Sequence, residues 1–202
     1  MKNGNREKVY KIAMWNCRRG LIASDGQTTD KFSEVLNFIQ SKEPHLFCLI
    51  ESDLHGIQSR THRHKYLSTE DIHENLKICN YNIYLPMSWE LYGQARILLY
   101  AHESIKIKIK NFGIQYYDLP MLTCEIGLGL ERKTVVNFFY REFTGGISGL
   151  SDKQSQHERL SRMINVWNMI NNNSDHDILC LGDANLCAKT WSKEDYHLKD
   201  FS

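Results

Sequence analysis

Five polar side chains stand at the ends of apolar, strand-like segments in this 202-residue chain, and together they could act on a phosphoester. They are Asn16, Glu51, Tyr140, Asp183 and Asn185. A carboxylate with amide oxygens and water is typical of a hard cation such as Mg²⁺ and not of zinc. A phosphodiester needs neutralised charge, an aligned water and a stabilised leaving oxygen. Glu51 could hold the metal, Asp183 could orient or deprotonate the water, and the amides and the phenol could bind phosphate oxygens.

The segment around Asp183, taken alone, leaves two interpretations open. The apolar run 178–181 is followed by Gly-Asp-Ala-Asn, which predicts a strand buried on both faces. Side chains alternate along a strand, so Asp183 and Asn185 would point to the same side. The alternative is a loop in which Asp and Asn serve only as turn formers. The polar ends of the other strands favour a site, because ligands bind at the carboxyl ends of strands in open α/β sheets.

The elements that must position these residues begin with a βαβ unit. A strand at 11–16 is followed by a cap at 28–30 and a helix whose apolar residues 32–39 recur at helical spacing; Pro44 ends that helix. A second apolar strand covers 45–51. Short joints between strand, helix and strand predict a parallel pair with a right-handed crossover.

The rest of the chain predicts more strands and one long helix. A loop over 52–78 carries a short helix at 70–78, and strands are predicted at 81–85, 95–102, 105–110, 121–128 and 134–140. Ser151 and Gln154 form a capping box for the long helix. Its buried stripe comprises Leu160, Met163, Ile164, Trp167 and Ile170. We therefore predict one domain over 1–202, with 1–9 flexible. Its fold class is α/β, a layered α/β sandwich with one or more mixed sheets flanked by helices.

Composition restricts the class of protein and its location. Twenty-five basic residues balance 24 acidic ones, so net charge offers no argument about nucleic acid. Six cysteines without CxxC spacing suit reduced thiols better than disulfides or zinc. The polar N-terminus has no signal-peptide core, and no apolar stretch is long enough to span a bilayer. We expect an intracellular protein, nuclear or cytoplasmic and not secreted, with no membrane partner.

Four short motifs, in order and with compatible spacing, resemble the endonuclease/exonuclease/phosphatase superfamily of Mg²⁺-dependent phosphoesterases. They are Trp15-Asn16, Ile50-Glu51-Ser52, Tyr140-Arg141 and Leu181-Gly182-Asp183-Ala184-Asn185. Within that superfamily, the Tyr-Arg-Glu sequence and the capped helix after it most resemble the apurinic-type endonuclease domains of non-LTR retrotransposons. The resemblance covers residues 11 to 185, which is most of the chain.

The resemblance implies a role for each matching residue. Asn16 would lie beside the metal, Mg²⁺ or Mn²⁺, and Glu51 would be its principal ligand. Tyr140 would contact the scissile phosphate, Asp183 would position the nucleophilic water, and Asn185 would assist at the phosphate. The implied substrate is the phosphate backbone of DNA, nicked to leave a 3′ hydroxyl. The implied partner is a reverse transcriptase domain in a longer parent polyprotein.

One departure from the family pattern bears on activity. The family carries another strand-bearing segment after the Gly-Asp-x-Asn motif, with a further Asp and a terminal Ser-Asp-His, whereas here only residues 186–202 follow Asn185. We therefore expect a C-terminally truncated domain, inactive unless another chain supplies the remainder. Two alternatives stay open. One is a non-enzymatic, decayed or domesticated retroelement fragment; the other is a phosphoesterase of the same fold acting on a small molecule or a lipid head group.

Overall fold

The computed structural model describes residues 9–18, 20–23, 26–55, 67–112, 116, 119–127, 133–141, 149–172 and 177–184. Eight strands and four helices lie within these ranges. The strands are β1 Ile12–Asn16, β2 Leu46–His55, β3 Tyr81–Tyr84, β4 Gln94–His102, β5 Ile107–Lys110, β6 Met121–Ile126, β7 Thr134–Tyr140 and β8 Asp177–Asp183. The helices are α1 Asp30–Lys42, α2 Thr69–Asn75, α3 Met87–Tyr92 and α4 Asp152–Asn172.

The strands form two four-stranded mixed sheets, each built from consecutive parts of the chain. The first has the order β1-β2-β4-β3 and the second the order β5-β6-β7-β8. β1 and β2 are parallel, as the predicted βαβ unit requires, and β4 runs antiparallel to β2 and β3. In the second sheet β7 and β8 are parallel, and the other pairs are antiparallel. The predicted α/β sandwich with mixed sheets is confirmed.

Three apolar clusters hold these layers together. The first lies between helices α1 to α3 and the outer face of the first sheet, and includes Phe32, Ile72 and Trp89. The second lies between the two sheets, where Ile50 and Phe138 are fully buried. The third packs α4 against the outer face of the second sheet. The order of layers is helix, sheet, sheet, helix, which leaves the ends of the strands as the open surface.

The two predicted helix starts are found, with different capping. Ser151 N–H donates to Gln154 Oε1 at 2.9 Å and Gln154 N–H donates to Ser151 Oγ at 3.3 Å, so the capping box of α4 is confirmed. Thr29 occupies the N-cap of α1 without a side-chain cap bond, and its hydroxyl donates to the Gly20 carbonyl instead. The buried stripe of α4 includes Val166, with Ile164 half-buried.

Two expectations are wrong, and one helix was not predicted. β8 is not buried on both faces: it is an edge strand within the described part of the second sheet, with Leu179 37% exposed and Cys180 exposed. An apolar run indicates a strand but does not report how many neighbours that strand has. β2 continues past Glu51 to His55 through a bulge. The six-residue helix α3 was not predicted, because it is too short to show helical periodicity.

Because of a buried carboxylate in the second sheet, the free energy of unfolding is expected to fall as the pH becomes acidic. Lys110 and Lys133 lie 2.9 and 3.3 Å from the Glu125 carboxylate, and the hydrogen bond from Lys110, followed by that from Lys133, holds the pKa of Glu125 below its ordinary value. Because this pKa is lower in the folded chain, the stabilisation is complete above the unfolded-state pKa and is lost as the pH falls through the folded-state pKa.

We expect Glu125→Gln to lower the free energy of unfolding at neutral pH and to flatten its decline below about pH 4.3. Urea denaturation at a series of pH values measures this. The exposed Glu90 on α3 supplies the matched control, Glu90→Gln. If the free energy of unfolding fell equally with decreasing pH in the wild type and in Glu125→Gln, Glu125 would not be the source of the acid sensitivity.

No described helix combines the length and the apolarity that crossing a membrane requires.

Candidate active site

The carboxyl ends of strands from both sheets meet at one end of the sandwich. β1 and β8 lie against each other, and the Asn16 amide nitrogen donates to Glu51 Oε1 at 2.8 Å and to Asp183 Oδ2 at 3.3 Å. The two carboxylates are thus held by one amide, although Asn16 and Asp183 are 167 positions apart. The predicted convergence therefore takes place across two sheets and not along the edge of one. This is the central feature of the site.

The backbone of β2 is bent where Glu51 enters the site. Glu51 and Asp53 have φ values of 55° and 49°, a left-handed conformation that costs a side-chain-bearing residue roughly 1–2 kcal/mol. Between them Ser52 is fully buried, and its hydroxyl donates to the Ala95 carbonyl at 2.9 Å. That bond anchors the bulge to β4. Strained backbone of this kind is concentrated at functional sites, because the surrounding structure must hold it.

Tyr140 ends β7 beside Glu51 and is only 6% exposed. Glu51 and Arg96 are the charged groups that act on its hydroxyl, and the Arg96 guanidinium carbon lies 5.2 Å from the centre of its ring. Burial raises the pKa of the Tyr140 phenol; the Glu51 charge raises it further, and Arg96 opposes both. The phenol is therefore protonated at neutral pH, so it can donate a hydrogen bond but cannot act as a base.

Arg141 fixes the position of the strand end that carries Asp183. The residue is 1% exposed; its Nε donates to the Ala184 carbonyl, and its Nη1 donates to Gln156 Oε1 on α4 at 3.1 Å. The backbone N–H of Arg141 also donates to the Asp183 carbonyl at 2.9 Å. The Tyr-Arg pair thus has two functions: Tyr140 faces the site, and Arg141 binds the end of β8 to β7 and to α4.

Two further charged residues at the site were not predicted. Arg96 Nη1 on β4 lies 3.0 Å from Asp53 Oδ1, and the guanidinium carbon lies 5.2 Å from the centre of the Tyr140 ring. Neither residue belongs to a matching motif. Arg96 does interrupt an otherwise apolar strand, and that interruption is the only signal the sequence offers.

The predicted site residues differ in what the structure reports of them. It brings Asn16, Glu51, Tyr140 and Asp183 together, and their roles stay predictions. Asn185 lies outside the described residues. Asn16 Oδ1 accepts from the Arg18 backbone N–H at 2.9 Å, so the amide nitrogen, and not the oxygen, faces the carboxylates. Burial raises the pKa of the adjacent Cys17 to about 12, so its thiol is not a nucleophile at neutral pH.

The donor set suits a hard divalent cation. Glu51 and Asp183 offer two carboxylates, and carboxylate oxygens fit Mg²⁺ or Mn²⁺ better than zinc. Among the described residues there is no group of three or more His, Cys, Asp or Glu side chains that could hold a metal. Any such ion would therefore depend on the carboxylates of Glu51 and Asp183 together with water.

Comparisons with known proteins identify the fold. No family model matches the chain, and no curated protein matches it in sequence. The beta toxin of Staphylococcus aureus matches over 95% of this chain and 71% of its own, with a TM-score of 0.59 and 12% identity. A humanized TDP2 from D. rerio matches over 88% of this chain and 63% of its own, with a TM-score of 0.50 and 14% identity.

The endonuclease domain of TRAS1, a telomere-specific non-LTR retrotransposon, matches over 91% of this chain and 62% of its own, with a TM-score of 0.49 and 10% identity. The chain thus spans less than two thirds of the TDP2 and TRAS1 structures.

Proposed function

We propose that this chain, which has the fold of the endonuclease/exonuclease/phosphatase superfamily, is a divalent-metal-dependent phosphodiesterase domain that nicks DNA. The observation that supports the proposal is the Asn16 amide, which holds the carboxylates of Glu51 and Asp183 together with Tyr140 alongside. Two close carboxylates repel each other, and a site keeps such a pair where a cation or a proton is to be handled.

Each residue of this group has a defined part in hydrolysis. Asp183 accepts a hydrogen bond from the attacking water and aligns it with the phosphorus atom. Tyr140, a protonated phenol, donates to a phosphate oxygen. Asn16 keeps both carboxylates in place, and Asn185 adds a donor at the phosphate. Glu51 would hold Mg²⁺ or Mn²⁺, which when bound supplies positive charge to the phosphate and to the leaving oxygen.

The choice of DNA as substrate rests on the motif resemblance, and two further proposals follow from it. The nicked product carries a 3′ hydroxyl, and the domain works beside a reverse transcriptase domain in a longer polyprotein. We place the protein inside the cell, in the nucleus or cytoplasm. The buried free thiols of Cys17, Cys48 and Cys124 support a reducing compartment.

The experiment incubates the chain with supercoiled plasmid, an abasic duplex and an inositol polyphosphate, each with Mg²⁺ or with EDTA. If the residues of this chain suffice, Mg²⁺-dependent nicking of plasmid is the expected result, with ends that a DNA polymerase extends directly. Mg²⁺ binding without nicking would agree instead with the expectation that the domain is inactive until another chain supplies the remainder. Release from the inositol polyphosphate alone would replace DNA with a small-molecule substrate. No reaction on any substrate, together with no Mg²⁺ binding by calorimetry, would support a non-enzymatic retroelement fragment instead.

We expect Asn16→Ala to raise the Mg²⁺ concentration for half-maximal nicking by about 10–100-fold, because the two carboxylates lose the group that orients them. Magnesium titrations of nicking and of heat release measure the change. The matched control is Asn82→Ala, at an exposed position of β3. An unchanged Mg²⁺ requirement in Asn16→Ala would show that the amide does not organise a metal site.

A further inference from the structure

The bulge of β2 brings a second carboxylate to the site, and an arginine pairs with it. Asp53 Oδ1 lies 3.0 Å from Arg96 Nη1, and the two side chains are 26% and 31% exposed, respectively. Pairs this exposed contribute little to stability, with a typical value of about 0–1 kcal/mol. The stability that the ion pair contributes therefore hardly accounts for the left-handed backbone at Asp53. The place in which the pair holds Arg96 accounts for it better.

Arg96 contacts the residue to which the proposed function assigns the phosphate. Its guanidinium lies over the Tyr140 ring, with 5.2 Å from the guanidinium carbon to the ring centre, and it opposes the rise in the pKa of the phenol. A guanidinium has donors only, so in a hydrogen bond between the two groups the phenol oxygen is the acceptor. The phenol hydrogen is then left for the other partner of Tyr140, the Glu51 carboxylate. The chain of contacts is Asp53 to Arg96 to Tyr140 to Glu51.

These successive side-chain contacts determine where the phenol hydrogen of Tyr140 points. Without Arg96, the Tyr140 ring would keep its apolar packing between the sheets, but its hydroxyl would lose the donor that orders its lone pairs. The ring would stay in place while the hydroxyl turned among its neighbours. Asp53 keeps Arg96 from turning away into solvent. Lysine cannot reproduce this, because its ammonium lacks the planar fork that stacks on a ring and donates in two directions.

We propose that Arg96, held by Asp53, is a positioning residue for Tyr140 and directs the phenol hydrogen toward the site shared with Glu51. The proposal rests on the proposed function for its catalytic meaning, and on the contacts alone for its structural part. It gives a role to an arginine that lies in none of the four motifs.

The test is a double-mutant cycle between Arg96→Met and Tyr140→Phe, with two measurements. In nicking assays, Arg96→Met is expected to lower kcat by roughly 5–20-fold and to change KM by less than about 3-fold, and to have little further effect in the Tyr140→Phe background. Arg96→Lys is expected to restore less than half of the kcat that Arg96→Met loses. Asp53→Asn is expected to lower kcat by a smaller factor, again with little change in KM.

The second measurement is the NMR spectrum of the Tyr140 ring, assigned by its loss in Tyr140→Phe. We expect Arg96→Met to shift these signals, and Lys108→Met, at an exposed position of β5, to leave them unchanged. A rise in KM of equal size in both backgrounds would mean that Arg96 binds the phosphate itself and would overturn the proposal. If the wild type does not nick DNA, the proposed function fails, and an unshifted Tyr140 ring in Arg96→Met would still overturn the positioning role independently.

Discussion

Asp183→Asn is expected to lower the rate of Mg²⁺-dependent nicking by roughly 10²–10⁴-fold, the range typical for removal of a group that handles the proton of a reacting water. The substitution keeps the shape of the side chain and an oxygen that can accept from the Asn16 amide. It removes the charge that the attacking water needs. Because the site geometry is conserved, we expect thermal unfolding to be almost unchanged while the rate falls.

The same strand offers a matched control. Asp177→Asn makes the identical change at the opposite end of β8, where the residue is exposed. Rates of plasmid relaxation under excess enzyme, measured beside circular dichroism melting curves, separate chemistry from folding. Equal rates for wild type and Asp183→Asn would remove Asp183 from the mechanism.

The second large effect is expected at the glycine that precedes Asp183. Gly182 pairs in register with Phe139 on β7, and a Cβ there would lie 2.5 and 2.6 Å from Phe139 ring carbons Cγ and Cδ1 and would also clash with the Phe139 carbonyl oxygen. The ring cannot retreat easily, because it also packs edge-on against Trp167 at 5.1 Å. We expect Gly182→Ala to destabilise the chain by about 1–3 kcal/mol.

Thermal unfolding measures this as a fall in Tm of about 2–4 °C per kcal/mol for a chain of this size. Nicking should fall as well, since moving β8 moves Asp183. Cys180→Ala, two residues earlier on the exposed part of the strand, should leave Tm nearly unchanged. A Gly182→Ala protein with the wild-type Tm would mean that β7 and β8 can move apart at this position without loss of stability.

The sequence predicts well where the site residues lie, because an apolar run followed by a polar residue is a local signal. Continuous apolar runs stop at Asn16, Glu51 and Tyr140, and the structure places these residues together, although β2 itself continues past Glu51 to His55. The capping box at Ser151 is equally local, being set by two side chains three residues apart. Motif order then indicated the fold, which the solved structures confirm.

What the sequence could not supply depends on contacts between distant segments. Asp53 and Arg96 meet only because a bulge in β2 displaces the register against β4, and no periodicity reports a bulge. The assignment of each strand to one of the two sheets was also hidden, since a strand gives the same apolar pattern whichever sheet it joins. The exposure of Leu179 on β8 shows the same limit, because a run of apolar residues does not reveal which of its faces will be covered.

The order of the strands along the chain has a consequence for synthesis. The first sheet is complete once residue 102 has been made, and the second uses only residues after it. Asn16 and Glu51 can therefore fold on the ribosome before Asp183 has been made. Until β8 has been made, a growing chain carries Asn16 and Glu51 without Asp183. If the proposed function holds, nicking activity would itself report that the second sheet has docked on the first.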